Sequence, residues 1–333
     1  MKKEDRTIHW GMIGCGDVTE VKNGPGLYLA DYSELKGVFN RTGAKAEDWV
    51  RRHGRGRVYR TASELLSDPE IDIVYVATTP DCHKQFAIEC AAAGKHCYLE
   101  KPIALSYEEA LEIKEAFDSS GTQIFVAHYR RGMTRYKEIK KQLESGAVGK
   151  VRGVQILRTQ MQTEEEKLPE EKKPWRVRSN ISGGSHFFEG DIHMLDLIDF
   201  LVGPAENFKL EASNETGYYK GEDVVALSMI TDMGVMVSGL WCYAAYKELD
   251  RVLIFGDEGS LSFCYGKNEE PYRLENGDGV KEYSTFVHPN VGTEQIQDIV
   301  DTLRGCGSCS STLEAAMRSL RITDAAVKQM RNC

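Results

Sequence analysis

Along its first third the chain alternates short apolar runs with stretches whose apolar residues recur every three or four positions. Residues 8–13, 35–39, 71–77, 96–99 and 124–127 read as strands, each bounded by Gly, Asp, Pro or Ser. Between them 44–53, 62–67, 82–93 and 107–119 carry helical periodicity, with Asp81 and Ser106 where N-caps belong. Such alternation predicts a parallel, doubly wound sheet. After residue 127 the pattern changes to a helical segment at 134–143, a longer strand at 151–159 and a polar, Pro-flanked stretch at 164–174. That stretch is most simply a solvated loop, and alternatively a mobile lid. From residue 224 onward, strand-like runs are joined by hairpin signals, Asp232-Met233-Gly234 and Gly256-Asp257-Glu258-Gly259. Helical segments at 293–303 and 313–330 follow, and the whole predicts an α/β chain of two domains, 1–127 and 128–333.

A length of 333 residues agrees with two cores rather than one. The formal net charge of −9 argues against a nucleic acid or an anionic membrane as partner, since both reward clustered Lys and Arg. The charged start at residues 1–6 passes directly into a strand-like run with no long apolar stretch, which predicts neither signal nor membrane segment and a cytoplasmic protein. The nine cysteines are scattered and odd in number, so reduced thiols are expected. Cys306-Gly307-Ser308-Cys309 alone has ligand-like spacing, but a tetrahedral zinc takes about four ligands. A loop between helices is the expectation there, and no metal.

The first strand runs into Gly14-Cys15-Gly16-Asp17-Val18-Thr19. Glycines at the first two positions let backbone turn tightly and approach a pyrophosphate, which then sits against the amides and positive end of the next helix. Thr19 replaces the third glycine. Gly24-Pro25-Gly26 predicts an early end to that helix. Placed after the first strand, this turn predicts an N-terminal Rossmann dinucleotide-binding domain with Gly14, Gly16, Asp17 and Val18 at the cofactor. The second strand ends in Asn40-Arg41-Thr42, where NAD-specific sites usually place a carboxylate for the ribose 2′-hydroxyl. Arg41 could instead pair with a 2′-phosphate. The expected cofactor is therefore NADP in preference to NAD, the alternative being an Arg41 that points to solvent.

Further segments follow in order: Thr78-Thr79-Pro80-Asp81-Cys82-His83, Ala93-Gly94-Lys95-His96 with Glu100-Lys101-Pro102, Pro174-Trp175-Arg176, and Gly183-Gly184 with Glu189, Asp191, His193 and Asp196. With the glycine turn, they resemble the family of glucose-fructose oxidoreductase, inositol dehydrogenase and their rhizopine-catabolism relatives over nearly the whole chain. The resemblance implies hydride transfer between a nicotinamide cofactor and a small sugar, polyol or related hydroxyl or carbonyl compound. It implies that Thr78, Pro80, His83, Glu100, Arg130, Trp175 and Arg176 lie at the cofactor or substrate, with His128 where relatives often carry asparagine. The alternative for Trp175 is a core position, as is common for Trp.

Lys101 follows a strand at its carboxyl end, where open α/β sheets bind ligands, and can orient the reacting carbon–oxygen bond. Glu189 and His193 are four apart, so on one helix they share a face and can form a carboxylate–imidazole couple that moves the hydroxyl proton. The alternative is a core histidine packed on Leu197. Family members commonly carry Asp where this chain has Glu189, which leaves Asp191 as a second candidate partner for His193. Arg130, Arg131, Arg176 and Arg178 make an acidic sugar conceivable. Two competing readings remain in the same fold: a glycoside hydrolase working by transient oxidation, and a non-catalytic dinucleotide sensor. The C-terminal domain is expected to be an α+β substrate-binding domain with a large, mostly antiparallel open sheet, which needs a cover on its second face; homodimer or homotetramer is the expectation.

Overall fold

The structure, a computed structural model, describes residues 6–331. The charged start from which the absence of a leader is expected lies, up to residue 5, outside the described residues. Contacts divide the chain into two compact units, one of residues 1–133 and 288–316, the other of 134–287 and 317–333.

The first unit is built on β1 (Ile8–Ile13), β2 (Ser33–Phe39), β3 (Arg57–Val58), β4 (Ile73–Val76), β5 (His96–Leu99) and β6 (Ile124–Val126). They form one parallel sheet in the order β3-β2-β1-β4-β5-β6. Its interleaved helices are α1 (Asp17–Val21), α2 (Gly26–Leu29), α3 (Gly43–His53), α4 (Ala62–Leu66), α5 (His83–Ala92) and α6 (Tyr107–Ser120). The strand order reverses between β1 and β4, so the loops leaving these two strands flank the switch point where such sheets bind ligands. α1 ends early as expected, and Pro25 caps α2 rather than prolonging α1.

Ser106 caps α6 as expected, its Oγ accepting from the Glu109 amide at 3.3 Å while Glu109 Oε2 accepts from the Leu105 amide at 3.0 Å. Asp81 does not cap α5. Pro80 opens a 3₁₀ turn through Cys82 that holds Asp81 within it, and α5 begins only at His83.

Contacts place the crossing at 133/134, six residues beyond the expected boundary at 127/128, and gather residues 288–316 with the first unit. α11 (Thr293–Arg304) buries Ile296, Ile299 and Val300 in the same core as Trp10, Tyr75 and Tyr98. Gln295 accepts from Tyr98 Oη at 2.7 Å and donates to the Val126 carbonyl at 2.8 Å. An amphipathic pattern announces that a helix has an apolar face but not which core that face covers.

The second unit holds α7 (Thr134–Glu144), β7 (Val151–Thr159), α8 (Ser179–Ser182), α9 (His186–Glu189), α10 (Ile192–Val202), β8 (Ala205–Ser213), β9 (Val224–Thr231), β10 (Met236–Cys242), β11 (Leu249–Gly256), β12 (Gly259–Phe263), β13 (Tyr272–Asn276) and β14 (Gly279–Tyr283). α12 (Leu313–Arg331) ends the described chain. The sheet order is β14-β13-β12-β11-β7-β10-β9-β8, antiparallel except for the β7–β10 pair. One face is buried, with Phe187 of α9 against Trp241 of β10 at 5.0 Å. The other leaves Ile230, Met236, Leu240 and Phe255 exposed.

The stretch at 164–174 is neither a plain solvated loop nor free of the body of its unit. It forms two 3₁₀ turns, and Glu166 and Lys173 are buried. Glu166 Oε1 lies 3.0 Å from His186 Nε2, its Oε2 accepts from Tyr219 Oη at 2.8 Å, and Lys173 Nζ donates to the Tyr218 carbonyl. Cys306 and Cys309 occupy the connection between α11 and α12, as expected for a loop.

Candidate functional site

In the first unit, Gly14 leaves β1 at φ +105°, and a Cβ there would stand 2.5 Å from the Ala77 carbonyl oxygen. Only glycine suits both the conformation and the close approach to the end of β4. Gly16 is different: nothing lies within 4 Å of where its Cβ would be, so no neighbour in the chain requires its bareness. What the missing side chain preserves is open space beside a backbone turn, which fits the approach of a pyrophosphate. Thr19, in the third glycine's place, is buried and closes the turn by donating from Oγ1 to the Gly16 carbonyl at 2.7 Å. Asp17 is exposed and Val18 half-buried at the start of α1. At the end of β2, Asn40 Oδ1 accepts from the Thr42 amide at 2.9 Å, and Arg41 is exposed.

Thr78 and Pro80 lie in the loop leaving β4. His83 does not face outward from that loop. It is fully buried, with Nδ1 2.6 Å from the Pro102 carbonyl and Nε2 3.0 Å from the Thr78 carbonyl, so it clamps the loops after β4 and β5 together. Glu100 also turns inward, accepting from Tyr75 Oη and Asn23 Nδ2, each at 2.6 Å. Burial pushes its carboxyl above the usual carboxylate range, against the pull of these donors and of the Lys101 charge. Lys101 follows β5, half-buried, and is joined to Pro102 by a cis peptide. After β6, His128, Arg130 and Arg131 are buried around a 3₁₀ turn.

In the second unit, Trp175 and Arg176 share a 3₁₀ turn, with the guanidinium carbon 4.6 Å from the indole ring centre. Arg176 Nε lies 3.7 Å from Glu189 Oε1, which brings two residues named by resemblance to each other. Glu189 and His193 do not share a helix. α9 ends at Glu189, the amides of Gly190 and Asp191 both close on the His186 carbonyl, and α10 starts at Ile192. Asp191, at that break, turns to an arginine: Arg158 Nε is 2.8 and 3.0 Å from its two carboxylate oxygens, and Tyr243 Oη donates to it at 2.6 Å. Arg158 also donates to Asp250 at 3.0 Å. The sequence pattern offers no signal for Arg158 or Tyr243, which sit on strands β7 and just beyond β10, remote in sequence from Asp191.

Glu222 is a further buried acid missed by sequence reasoning. Its Oε1 accepts from the amides of Ser185 and Phe188, at 3.3 and 3.2 Å, at the start of α9. Burial pushes its carboxyl up to about 7 from 4.5. The folded chain therefore holds this proton more tightly than the unfolded chain, and the contribution of Glu222 to stability is fullest below about pH 4.5 and is lost as pH rises to about 7, by roughly 3 kcal/mol at most. Glu222→Gln should lack that slope when urea unfolding is followed from pH 4.5 to 8. A variant whose pH dependence matched the parent would remove Glu222 from the account.

The description "Oxidoreductase family, NAD-binding Rossmann fold" matches residues 8–128, and the GFO/IDH/MocA C-terminal domain matches residues 136–262. The chain is 35% identical over 284 residues to "Oxidoreductase P35" of Formosa agariphila, covering 83% of this chain and 88% of that protein. It is 24% identical to a 1,5-anhydro-D-fructose reductase of Ensifer adhaerens, over 96% of this chain and 95% of the relative. Among solved structures, a levoglucosan dehydrogenase in complex with NADH and levoglucosan shares the fold, with a TM-score of 0.85 at 21% identity over 98% of each chain. Family models over both parts of the chain, and a relative matched along most of its length, place this protein in the GFO/IDH/MocA oxidoreductase family.

Proposed function

We propose that the chain is an NADP-preferring oxidoreductase that moves a hydride between nicotinamide and a hydroxyl-bearing carbon of a sugar, polyol or related compound. The observation that carries this reading is the open space beside Gly16, at the same carboxyl edge of the sheet as the Glu100-Lys101-Pro102 turn. The names of the anhydrofructose reductase and levoglucosan dehydrogenase support the substrate class. The dinucleotide supplies the hydride acceptor or donor when bound. Gly14, Gly16, Asp17 and Val18 would hold its pyrophosphate end, and Thr78 and Pro80 the loop beside it. In this proposal Lys101 would orient the reacting oxygen and His193 would take or return its proton; Glu189, with Arg176 against its carboxylate, is the acid assigned to the imidazole even though the two residues do not share one helix.

The test is titration with NADPH and NADH, then a screen of keto-sugars, polyols and anhydro sugars for a net absorbance change of the nicotinamide. Binding without turnover on any of them would favour a sensor. Arg41→Ala should weaken NADPH binding about tenfold while leaving NADH unchanged, the expected loss of one charge-assisted contact to a 2′-phosphate. An unchanged ratio of the two affinities would return the preference to NAD.

A homodimer or homotetramer belongs to the same proposal, supported by the exposed Ile230, Met236, Leu240 and Phe255 on one face of the large sheet. So does a cytoplasmic location. All eight cysteines among the described residues are free thiols, and among those residues no helix is long and apolar enough to cross a membrane.

A further inference from the structure

We propose that Asn23, Tyr75 and Glu100 form a positioning triad that fixes the backbone at Lys101 and ties it to the helix leaving the glycine turn. The proposal rests on the reading of Lys101 given above. Glu100 Oε1 accepts from Tyr75 Oη and Asn23 Nδ2, both at 2.6 Å, and Asn23 Nδ2 is also 3.1 Å from Tyr75 Oη. The other carboxylate oxygen accepts from the Lys101 amide at 3.3 Å. All three side chains are buried, so each bond is made away from water.

The members of the triad come from three separate segments: Glu100 directly follows β5. Tyr75 is in β4, its ring stacked on Tyr98 of β5 at 4.9 Å. Asn23 follows α1, and its amide donates to the Val18 carbonyl at 3.0 Å, two residues beyond Gly16. Asn23 is held from behind as well. A Cβ on Gly292 would stand 1.8 Å from Asn23 Oδ1, and the Gly292 amide donates to the Lys22 carbonyl. A displacement of α1 therefore reaches Lys101 through Asn23 and Glu100, while His83 holds the carbonyl of Pro102 on the other side.

Packing alone gives no reason for a carboxylate here. Burying an ionised carboxylate costs several kcal/mol unless donors surround it. Three donors converge on Glu100, and what they hold in place is the backbone that carries the lysine.

The test uses the full chain without dinucleotide and trace acetylation by acetic anhydride, with the exposed Lys172 as internal standard and mass spectrometry as readout. Tyr75→Phe should change the relative labelling rate of Lys101 at least about threefold and lower kcat about tenfold, the equivalent of one lost hydrogen bond to a charged group, with NADPH affinity within about twofold. Asn23→Ala should change the labelling alike, and the double variant no more than either, because both act through Glu100. Wild-type labelling in both variants, whatever their melting temperatures, would reduce the triad to packing. A change in Tyr75→Phe alone would overturn the tie to the glycine turn. Lys101→Met tests the other reading separately: retained turnover would remove Lys101 from the reaction, while the labelling still decides the triad.

Discussion

His193→Asn is expected to lower kcat by about 10²- to 10⁴-fold, the usual worth of a positioned general acid–base, while NADPH affinity stays within about twofold. His193 lies in the first turn of α10, a helix whose every residue is buried, so the ring has little freedom to adopt other rotamers. Asparagine keeps a polar side chain of similar reach but cannot exchange a proton near neutral pH. The pH profile of kcat should lose a limb along with the rate. A histidine that merely packs on Leu197 would give the opposite pattern: a lower melting temperature, and turnover per folded molecule near the parent's.

The second large effect separates Glu189 from Asp191. Asp191→Asn is expected to cost about 2–4 kcal/mol of stability, because Arg158 then keeps only Asp250 as a carboxylate partner in a buried setting. Turnover per folded molecule should change less than about threefold, since the carboxylate of Asp191 faces Arg158 and Tyr243. Glu189→Gln should do the reverse, lowering kcat about 10²-fold with a smaller stability change, because glutamine keeps the length and polarity of the side chain beside Arg176. Urea unfolding and steady-state kinetics on both variants decide the matter. If Asp191→Asn lost turnover and kept stability, the roles would have to be exchanged.

These two acids show where sequence periodicity misleads. A four-residue spacing places two side chains on one face only while the helix continues. Here the chain breaks at Gly190, and Asp191 is taken by Arg158 from β7, 33 positions away in sequence. Glu166 and Lys173 make the same point. A run of charged residues broken by prolines looks solvated, yet both are buried because Tyr219, His186 and the Tyr218 carbonyl come to meet them.

The missed strands have a related cause. β14 is an edge strand with four of its five residues exposed, and β8 alternates poorly, so neither buries enough apolar surface to leave a pattern. The parallel strands of the first unit were legible for the converse reason. β4 and β6 are buried at every position, and such strands are apolar along their whole length.

By itself the amino-acid sequence determined five of the six strands of the first unit and the helices between them from residue 43 to 120, though not the two-residue β3, together with the glycine turn after β1 and the Glu-Lys-Pro turn after β5, because these depend on local periodicity and on residues that few backbone conformations accept. Tertiary structure alone decided that α11 returns to the first core, that Asp191 belongs to Arg158, and that Glu100 and His83 face inward to hold the loop around Lys101. Those outcomes rest on partners brought together across 19 to 77 positions for the hydrogen bonds at His83, Asp191 and Glu100, and no local pattern encodes which buried polar group will find which.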